Sequence, residues 1–320
     1  MDTQINNVKI AQDRFFSRKW GVFNHFLYVL QNNPSLKNSY GKQTDWDTLV
    51  NEFDTELLAK NLHEIGAGYY VITVMQGTKY MIAPNKAFDE IAGTKPGEAC
   101  STRDLIEDLY QSLSKYDIDL FLYFTGDGPY KNVEEGKRFG FIEPRVENGV
   151  TKPFVEKWAS VLEEYALRYG DKVKGWWIDG CYKEAFKYTD ELLEIYYKAC
   201  KKGNPNALVS LNNGVGEGDI ISGFTFEDFL CGEQNDFTVI PKQRFYGKAQ
   251  AHILAPLGVG EYEIGGWGVF GVKHEKEYLL DYVKKVNAAG GVVSIDIGVY
   301  RDGKFDEEQK EVVSYLGKNL

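Results

Sequence analysis

Short apolar segments alternate with longer amphipathic segments along the whole chain. Eight of the short segments are rich in Val, Ile, Phe and Tyr and nearly continuous in apolar character. A run of this kind is typical of a parallel strand that is covered on both faces, whereas a half-exposed strand alternates apolar and polar positions. The predicted strands cover residues 20–26, 68–75, 119–125, 173–179, 207–212, 226–232, 250–256 and 291–298.

The longer segments between these strands carry apolar residues at helical spacing. In the segment 47–65, for example, Leu49, Phe53 and Leu57 recur about one helical turn apart. Eight strands that alternate with helices predict an α/β fold, a (β/α)8 TIM-like barrel that forms a single domain over residues 1–320. A doubly wound open sheet is the alternative, but no glycine-rich phosphate loop follows the first strand.

Composition and charge exclude several classes of protein. Lys and Arg number 37 against 47 Asp and Glu, a net charge of −10, which argues against a nucleic-acid or anionic-membrane partner. No stretch stays apolar for the roughly 18 residues that a membrane span needs. The four cysteines form no CxxC pair and the four histidines no HxH or HExxH spacing. Neither a metal nor another cofactor is therefore expected.

The N-terminal sequence gives an expectation for the cellular compartment of the protein. It lacks a basic segment followed by an apolar run, so it does not resemble a secretory signal. The chain as written is expected to be cytoplasmic, or periplasmic or secreted if a leader had been removed from it. The sequence does not indicate an oligomeric state.

The residues at the carboxyl ends of the predicted strands are the candidates for catalysis and ligand binding. In a (β/α)8 barrel these ends and the loops after them form the active site. Carboxylates, amides and tryptophans dominate there, and lysine and arginine are absent. Such side chains bind sugars, because carboxylates and amides bond hydroxyl groups while aromatic faces stack on C–H surfaces. An oligosaccharide or another glycoside is therefore the expected substrate. The candidates are His25, Gln76, Trp177, Asp179, Asn213, Glu233, Glu261, Glu263 and Trp267.

Each candidate also has a purely structural interpretation. Asp179 follows three apolar residues and precedes Gly180, a position that also suits an N-cap or turn aspartate. Glu233 taken alone suits an ordinary loop carboxylate, and His25 suits a core histidine with one hydrogen bond. The functional interpretation depends on the convergence of these residues at one rim of the barrel.

Four segments resemble the family 29 glycoside hydrolases, the α-L-fucosidases and their relatives. KWGVFNHF at 19–26 is similar to the family's first strand, and HEIGAGYYVIT at 63–73 to its helix and second strand. VKGWWIDG at 173–180 is similar to the strand that presents the nucleophilic aspartate. NAAGGVVSIDIGVYRDGKFDEEQ at 287–309 is similar to the closing strand with its DG turn. The resemblance implies a (β/α)8-like barrel, a retaining mechanism, a sugar-binding His25 and a nucleophilic Asp179.

The chain departs from that family pattern at three places. Relatives carry a paired-histidine HHDG segment after the second strand, where this chain has Met75, Gln76 and Gly77. Phe26 replaces the tryptophan that follows the first-strand histidine. We expect no β-sandwich of the kind that usually follows the barrel, because the barrel takes up the residues given. A glycoside other than a fucoside, or a barrel that binds carbohydrate without catalysis, is therefore an alternative.

The expected mechanism pairs Asp179 with a glutamic acid. Asp179 attacks the anomeric carbon while Glu233 protonates the departing oxygen, and a retaining pair has its carboxyl groups about 5–5.5 Å apart. Glu261 and Glu263 are the alternative acid/base residues. His25, Gln76 and Trp267 are expected to position the sugar, and a donor such as Asn213 to hold Asp179 ionised. An isomerase or aldolase on the same barrel is a third possibility, without an evident metal site or rim lysine.

Overall fold

The computed structural model of the protein describes residues 2–141, 149–216, 220, 222–260 and 265–320. Within these residues the strands are β1 (Trp20–Asn24), β2 (Tyr69–Thr73), β3 (Asp119–Thr125), β4 (Val173–Asp179), β5 (Leu208–Leu211), β6 (Phe245–Tyr246), β7 (Ala249–Gln250), β8 (His252–Pro256) and β9 (Val292–Asp296). The α-helices are α1 (Asp2–Ser17), α2 (Tyr28–Gln31), α3 (Trp46–Asn51), α4 (Thr55–Glu64), α5 (Lys86–Ala92), α6 (Leu105–Ser114), α7 (Val133–Phe139), α8 (Lys152–Tyr169), α9 (Lys183–Phe186), α10 (Asp190–Lys201), α11 (Lys276–Ala288) and α12 (Glu307–Asn319). Short 3₁₀ helices cover Lys37–Ser39 and Gly170–Lys172.

Seven strands form one curled parallel sheet in the order β5-β4-β3-β2-β1-β9-β8. Its strands are almost entirely buried, which explains their continuous apolar sequences. Helices α4, α6 and α10 begin behind Asp54, Asp104 and Thr189, each of which accepts a backbone N–H from the first turn. The predicted α/β fold with a parallel sheet is thus confirmed. No helix in the described part of the chain is long and apolar enough to span a membrane.

The sixth predicted strand, residues 226–232, does not form a regular strand, and that prediction was wrong. Two buried side-chain carboxylates in this segment accept hydrogen bonds from backbone N–H groups of the edge strand β5. In a regular strand, backbone carbonyls would accept these bonds. The N–H of Val209 donates to Asp228 Oδ2 at 3.0 Å, and the N–H of Leu211 donates to Glu227 Oε1 at 3.2 Å. The backbone N–H groups of β5 are therefore paired with side-chain oxygens, whereas a regular parallel strand would pair them with its backbone carbonyls.

The same irregular segment continues to the other edge of the sheet. The N–H of Leu230 donates to the carbonyl of Gln250 at 3.0 Å, and the N–H of Leu254 in β8 donates to the carbonyl of Gly232 at 2.9 Å. Isolated bridges pair Phe229 with Gln250 and Glu233 with Leu254. The segment 226–234 thus connects the edge strands β5 and β8.

Helix α1 covers the end of the sheet at which the strands begin. Arg14 in α1 donates to Asp119, the first residue of β3, at 2.6 Å. The ring of Phe15 lies 5.1 Å from the rings of both Tyr69 and Phe121, inside the sheet. Because α1 occupies this end, a ligand reaches the interior of the sheet from the opposite end, where the strands finish.

Candidate active site

A cavity of about 350 Å³ opens at the end of the sheet where the parallel strands finish. Asp179, the last residue of β4, lines it together with His25, which directly follows β1. Glu233 enters the cavity from its position beside Leu254 of β8. A cavity of this size suits a small ligand. It brings together six of the predicted site residues, namely His25, Gln76, Trp177, Asp179, Glu233 and Trp267.

The carboxyl group of Asp179 accepts hydrogen bonds from three neutral side chains. Tyr123 in β3 donates its hydroxyl to Oδ2 at 2.6 Å. Asn212, directly after β5, donates to Oδ1 at 2.8 Å, and Tyr182 donates to the same oxygen at 3.3 Å. Gly180 follows with a φ of +66°, which lets the chain turn immediately after the aspartate. Both oxygens of this carboxyl group are therefore engaged by donors from the protein.

Glu233 has the opposite environment. Burial and the negative charge of Asp179 raise its pKa to about 7, while the hydrogen bond from Asn212 and the proximity of His25 act in the other direction. Asn212 Nδ2 lies 2.6 Å from Glu233 Oε2. The preceding Gly232 has a φ of +60°, and a Cβ there would meet the carbonyl oxygen of His252 at 1.8 Å. A glycine at this position is therefore what allows the chain to present Glu233 to the cavity.

His25 is held by a buried carboxylate behind the cavity wall. Its Nδ1 lies 2.8 Å from Asp296 Oδ1, at the end of β9. The N–H of Gly268 donates to the other oxygen of Asp296 at 2.6 Å, so the same carboxylate anchors the loop that carries Trp267. The rings of His25 and Trp267 meet edge to face at 5.8 Å. The aspartate therefore positions two walls of the cavity at once.

Gln76 and Trp177 both contact the tyrosine that supports Asp179. Gln76 Nε2 donates to the Tyr123 hydroxyl at 2.9 Å, which directs the hydroxyl proton of Tyr123 toward Asp179. The indole of Trp177 stacks on the Tyr123 ring at 5.3 Å and donates to the carbonyl of Cys231 at 3.2 Å. Burial and the nearby carboxylate raise the Tyr123 pKa, so this hydroxyl stays protonated as a donor.

The other predicted residues lie elsewhere. Asn213 is exposed, and its side-chain oxygen accepts the backbone N–H of Lys183 at 2.8 Å. It lines a smaller cavity of about 110 Å³ next to Glu233. The amide that contacts Asp179 is that of Asn212, because β5 side chains alternate between the two faces and residue 212 points inward. Glu261 and Glu263 lie outside the described residues.

Four side chains of the candidate site were not among the predicted site residues: Tyr123, Tyr182, Asn212 and Lys131. Tyr123 lies within an apolar strand, where a tyrosine resembles an ordinary core residue. Strand alternation was the available signal, because Tyr123 shares the inward face of β3 with Phe121. Lys131 lines the cavity from the loop after β3, although no lysine was predicted at the rim. No group of three His, Cys, Asp or Glu side chains in the described ranges converges as metal ligands.

Comparison with known proteins places the chain among the glycoside hydrolases. The family model described as alpha-L-fucosidase matches residues 16–320. The chain therefore belongs to the α-L-fucosidase family, which confirms the resemblance drawn from the four sequence segments. No curated protein matches the chain in sequence.

Several solved structures share the fold at low sequence identity. An α-L-fucosidase of family 29 from Bacteroides thetaiotaomicron is 19% identical, with 96% of this chain and 72% of that chain covered and a TM-score of 0.63. The α-L-fucosidase AlfC from Lactobacillus casei, in complex with α-L-fucose, is 16% identical over 96% of this chain and 97% of that chain, with a TM-score of 0.65. An endo-fucoidan hydrolase of family 107 is 12% identical over 96% of this chain and 53% of that chain, with a TM-score of 0.68.

Proposed function

We propose that the protein is a retaining glycosidase of the α-L-fucosidase type, which cleaves a terminal sugar through a glycosyl-enzyme intermediate. Asp179 is the nucleophile and Glu233 is the acid/base. The contrast between these two carboxyl groups carries the proposal. Asp179 accepts three hydrogen bonds, whereas burial and the charge of Asp179 raise the Glu233 pKa to about 7. A nucleophile needs the ionised form and a general acid the protonated form near neutral pH.

In the first step, Asp179 attacks the anomeric carbon as the bond to the leaving group breaks. The departing oxygen takes the proton of Glu233, so the enzyme holds an Asp179 ester and a Glu233 carboxylate. In the second step, Glu233 removes a proton from water while the oxygen of that water attacks the anomeric carbon. The ester bond breaks, Asp179 regains its charge, and the sugar leaves with retained configuration.

The spacing of the carboxyl groups supports retention. One nitrogen, Asn212 Nδ2, bonds Asp179 Oδ1 at 2.8 Å and Glu233 Oε2 at 2.6 Å. These two oxygens therefore lie no farther apart than the combined length of the two bonds. That limit agrees with the separation of about 5–5.5 Å in retaining enzymes and falls short of the roughly 6.5–9.5 Å that an inverting enzyme needs for its water.

The walls of the cavity suit a single sugar ring. His25, Trp177 and Trp267 present aromatic surface and one imidazole, while Gln76 adds an amide. A solved fucosidase from Bacteroides thetaiotaomicron with this fold was trapped as a covalent intermediate with 2-fluoro-fucosyl fluoride. That chemistry supports α-L-fucosides as the first substrates to test.

The same proposal treats the whole chain, residues 1–320, as one catalytic domain of the (β/α)8 TIM-like type. The seven-stranded parallel sheet supplies most of the barrel wall. The segment 226–234 takes the place of the remaining strand, since it bonds both edge strands and presents Glu233.

A barrel that binds carbohydrate without cleaving it is the second candidate, and the residue at position 76 favours it. Where fucosidases carry paired histidines, Gln76 donates its amide to Tyr123. One N–H donor of a group expected to bind the sugar is therefore already engaged by the protein. Sugar binding without turnover is the result that this candidate predicts.

Turnover of aryl glycosides tests the proposal. 4-Nitrophenyl α-L-fucoside and the α- and β-galactosides are incubated with the wild type, Asp179→Asn and Glu233→Gln. Glu277→Gln, which changes an exposed glutamate on α11, is the matched control. We expect the wild type and the control to hydrolyse one of these glycosides with retained configuration by ¹H NMR, and Asp179→Asn to be inactive. Inverted configuration, or activity that survives in Asp179→Asn, contradicts the proposal.

A further inference from the structure

Asn212 is fixed more tightly than an ordinary loop residue. Its backbone N–H donates to the carbonyl of Ile178 in β4 at 2.7 Å, and its carbonyl accepts the N–H of Cys181 at 3.0 Å. Its side-chain oxygen accepts the N–H of Gly214 at 3.1 Å. With the oxygen engaged in this way, the amide can direct only its NH₂ group toward the two carboxyl groups. The residue is 1% exposed, so no solvent competes for these bonds.

The NH₂ group has two hydrogens, and each carboxyl group takes one. The bonds reach Asp179 Oδ1 at 2.8 Å and Glu233 Oε2 at 2.6 Å. In the mechanism proposed above, the pair carries one negative charge both before and after the first step. That charge lies on Asp179 in the free enzyme and on Glu233 in the glycosyl-enzyme. A donor already bonded to both groups can stabilise either state without moving.

We propose that Asn212 is the positioning residue that allows this charge to pass from Asp179 to Glu233 and back with no rearrangement of side chains. The inference rests on the proposed function, because it assigns Asn212 a role in that reaction. This role differs from a purely structural one in its effect on Glu233. Loss of the Asn212 amide should change the pH at which Glu233 ionises, as well as lower the hydrolysis rate.

Among the described residues, Asp179, His25 and Tyr182 are the titratable groups that interact electrostatically with Glu233. Asp179 on β4 disfavours its ionised form, and His25 after β1 favours it. Tyr182, in the loop after β4, also lies near enough to be affected by the Glu233 charge, and burial raises the pKa of that tyrosine so that it stays neutral. A substitution at Asn212 leaves these three side chains in place but also removes the donor to Asp179 Oδ1. A change in the titration of Glu233 therefore reports loss of the amide that the two carboxyl groups share.

The test compares Asn212→Leu, which keeps the approximate volume and removes both donors, with the wild type. Asn212→Ala is the second variant if the leucine protein does not fold, and Asn61→Ala is the control for loss of a buried amide far from the site. Loss of a hydrogen bond to a charged group is worth about tenfold to a hundredfold in an equilibrium constant. We therefore expect the Glu233 pKa to rise by about one to two units in the Asn212 variants and to stay unchanged in Asn61→Ala.

Two measurements detect this shift in the ionisation of Glu233. The first is the pH profile of kcat for an aryl glycoside with an activated leaving group, for which the second step limits the rate. Its acid limb reports ionisation of Glu233 in the glycosyl-enzyme and should move to higher pH, with a loss of about 10–100-fold in kcat at low pH. A uniform loss of rate with unmoved limbs in folded Asn212→Leu would overturn the inference.

The second readout is the ¹³C NMR titration of the Glu233 carboxyl, assigned by its absence in Glu233→Gln. It needs no turnover. An upward shift in the Asn212 variants supports the link between the amide and Glu233 even if the wild type hydrolyses nothing, in which case the proposed function alone fails. An unchanged titration overturns the inference even if the wild type is an active glycosidase.

Discussion

Replacement of Glu233 by glutamine should stabilise the protein at alkaline pH. In the folded protein, burial and the charge of Asp179 raise the pKa of this carboxyl from 4.5 to about 7. The folded state therefore holds the proton at pH values where the unfolded chain has lost it. Stability is greatest below the unfolded pKa and falls as the pH rises toward the folded pKa, because ionisation then favours the unfolded chain. Glutamine removes this loss.

The size of the effect follows from the shift. One pKa unit corresponds to about 1.4 kcal/mol, and at pH 5 a small part of the difference is already present. We expect the difference in unfolding free energy between Glu233→Gln and the wild type to grow by about 2.5 kcal/mol, in favour of Glu233→Gln, from pH 5 to pH 8.5.

Urea unfolding of both proteins at the two pH values measures this gain. Glu277→Gln, which changes an exposed glutamate on α11, is the control. It keeps Glu233, so its unfolding free energy should change between the two pH values as that of the wild type does. A stability difference between Glu233→Gln and the wild type that is the same at pH 5 and pH 8.5, or larger at pH 5, would show that burial and Asp179 do not raise the pKa of Glu233.

Three further predictions concern activity and folding. Tyr123→Phe removes the donor to Asp179 Oδ2 and should lower kcat/KM about 10–100-fold, while the melting temperature changes little. An unchanged kcat/KM would show that the Tyr123 hydroxyl does not support Asp179 as the nucleophile. Glu233→Ala should lower the hydrolysis rate about 10²–10⁴-fold for glycosides with poor leaving groups, and much less for dinitrophenyl glycosides. If hydrolysis persists in this variant and only Glu261→Ala or Glu263→Ala abolishes it, Glu233 is not the acid/base. Gly232→Ala should destabilise the fold by at least about 2 kcal/mol in urea unfolding, since its Cβ would meet the His252 carbonyl at 1.8 Å; wild-type stability would contradict this.

Most of the sheet was predictable because parallel strands buried on both faces leave an apolar run in the sequence. The segment 226–232 has the same apolar character but no regular ladder, since Glu227 and Asp228 bond β5 through their side chains. A sequence pattern shows that a carboxylate is present, but not that its oxygens replace backbone carbonyls. Strand prediction therefore fails there for a physical reason.

The candidate site was predictable where a polar residue interrupts an apolar strand end, as Asp179 and His25 do. It was not predictable where a side chain that lines it resembles a core residue, as Tyr123 does inside β3. The choice of Asn213 rather than Asn212 shows a different difficulty. The two asparagines are adjacent, and only the inward or outward direction of alternate residues distinguishes them.

The most direct test of the central claim is to locate a covalent sugar on the protein. The wild type is incubated with 2-deoxy-2-fluoro-fucosyl fluoride, digested with pepsin and analysed by mass spectrometry, with Asp179→Asn as the control. We expect one fluorinated glycosyl group on the peptide that contains Asp179, and none in the variant. An adduct on another residue, or sugar binding without any adduct, would contradict the central claim.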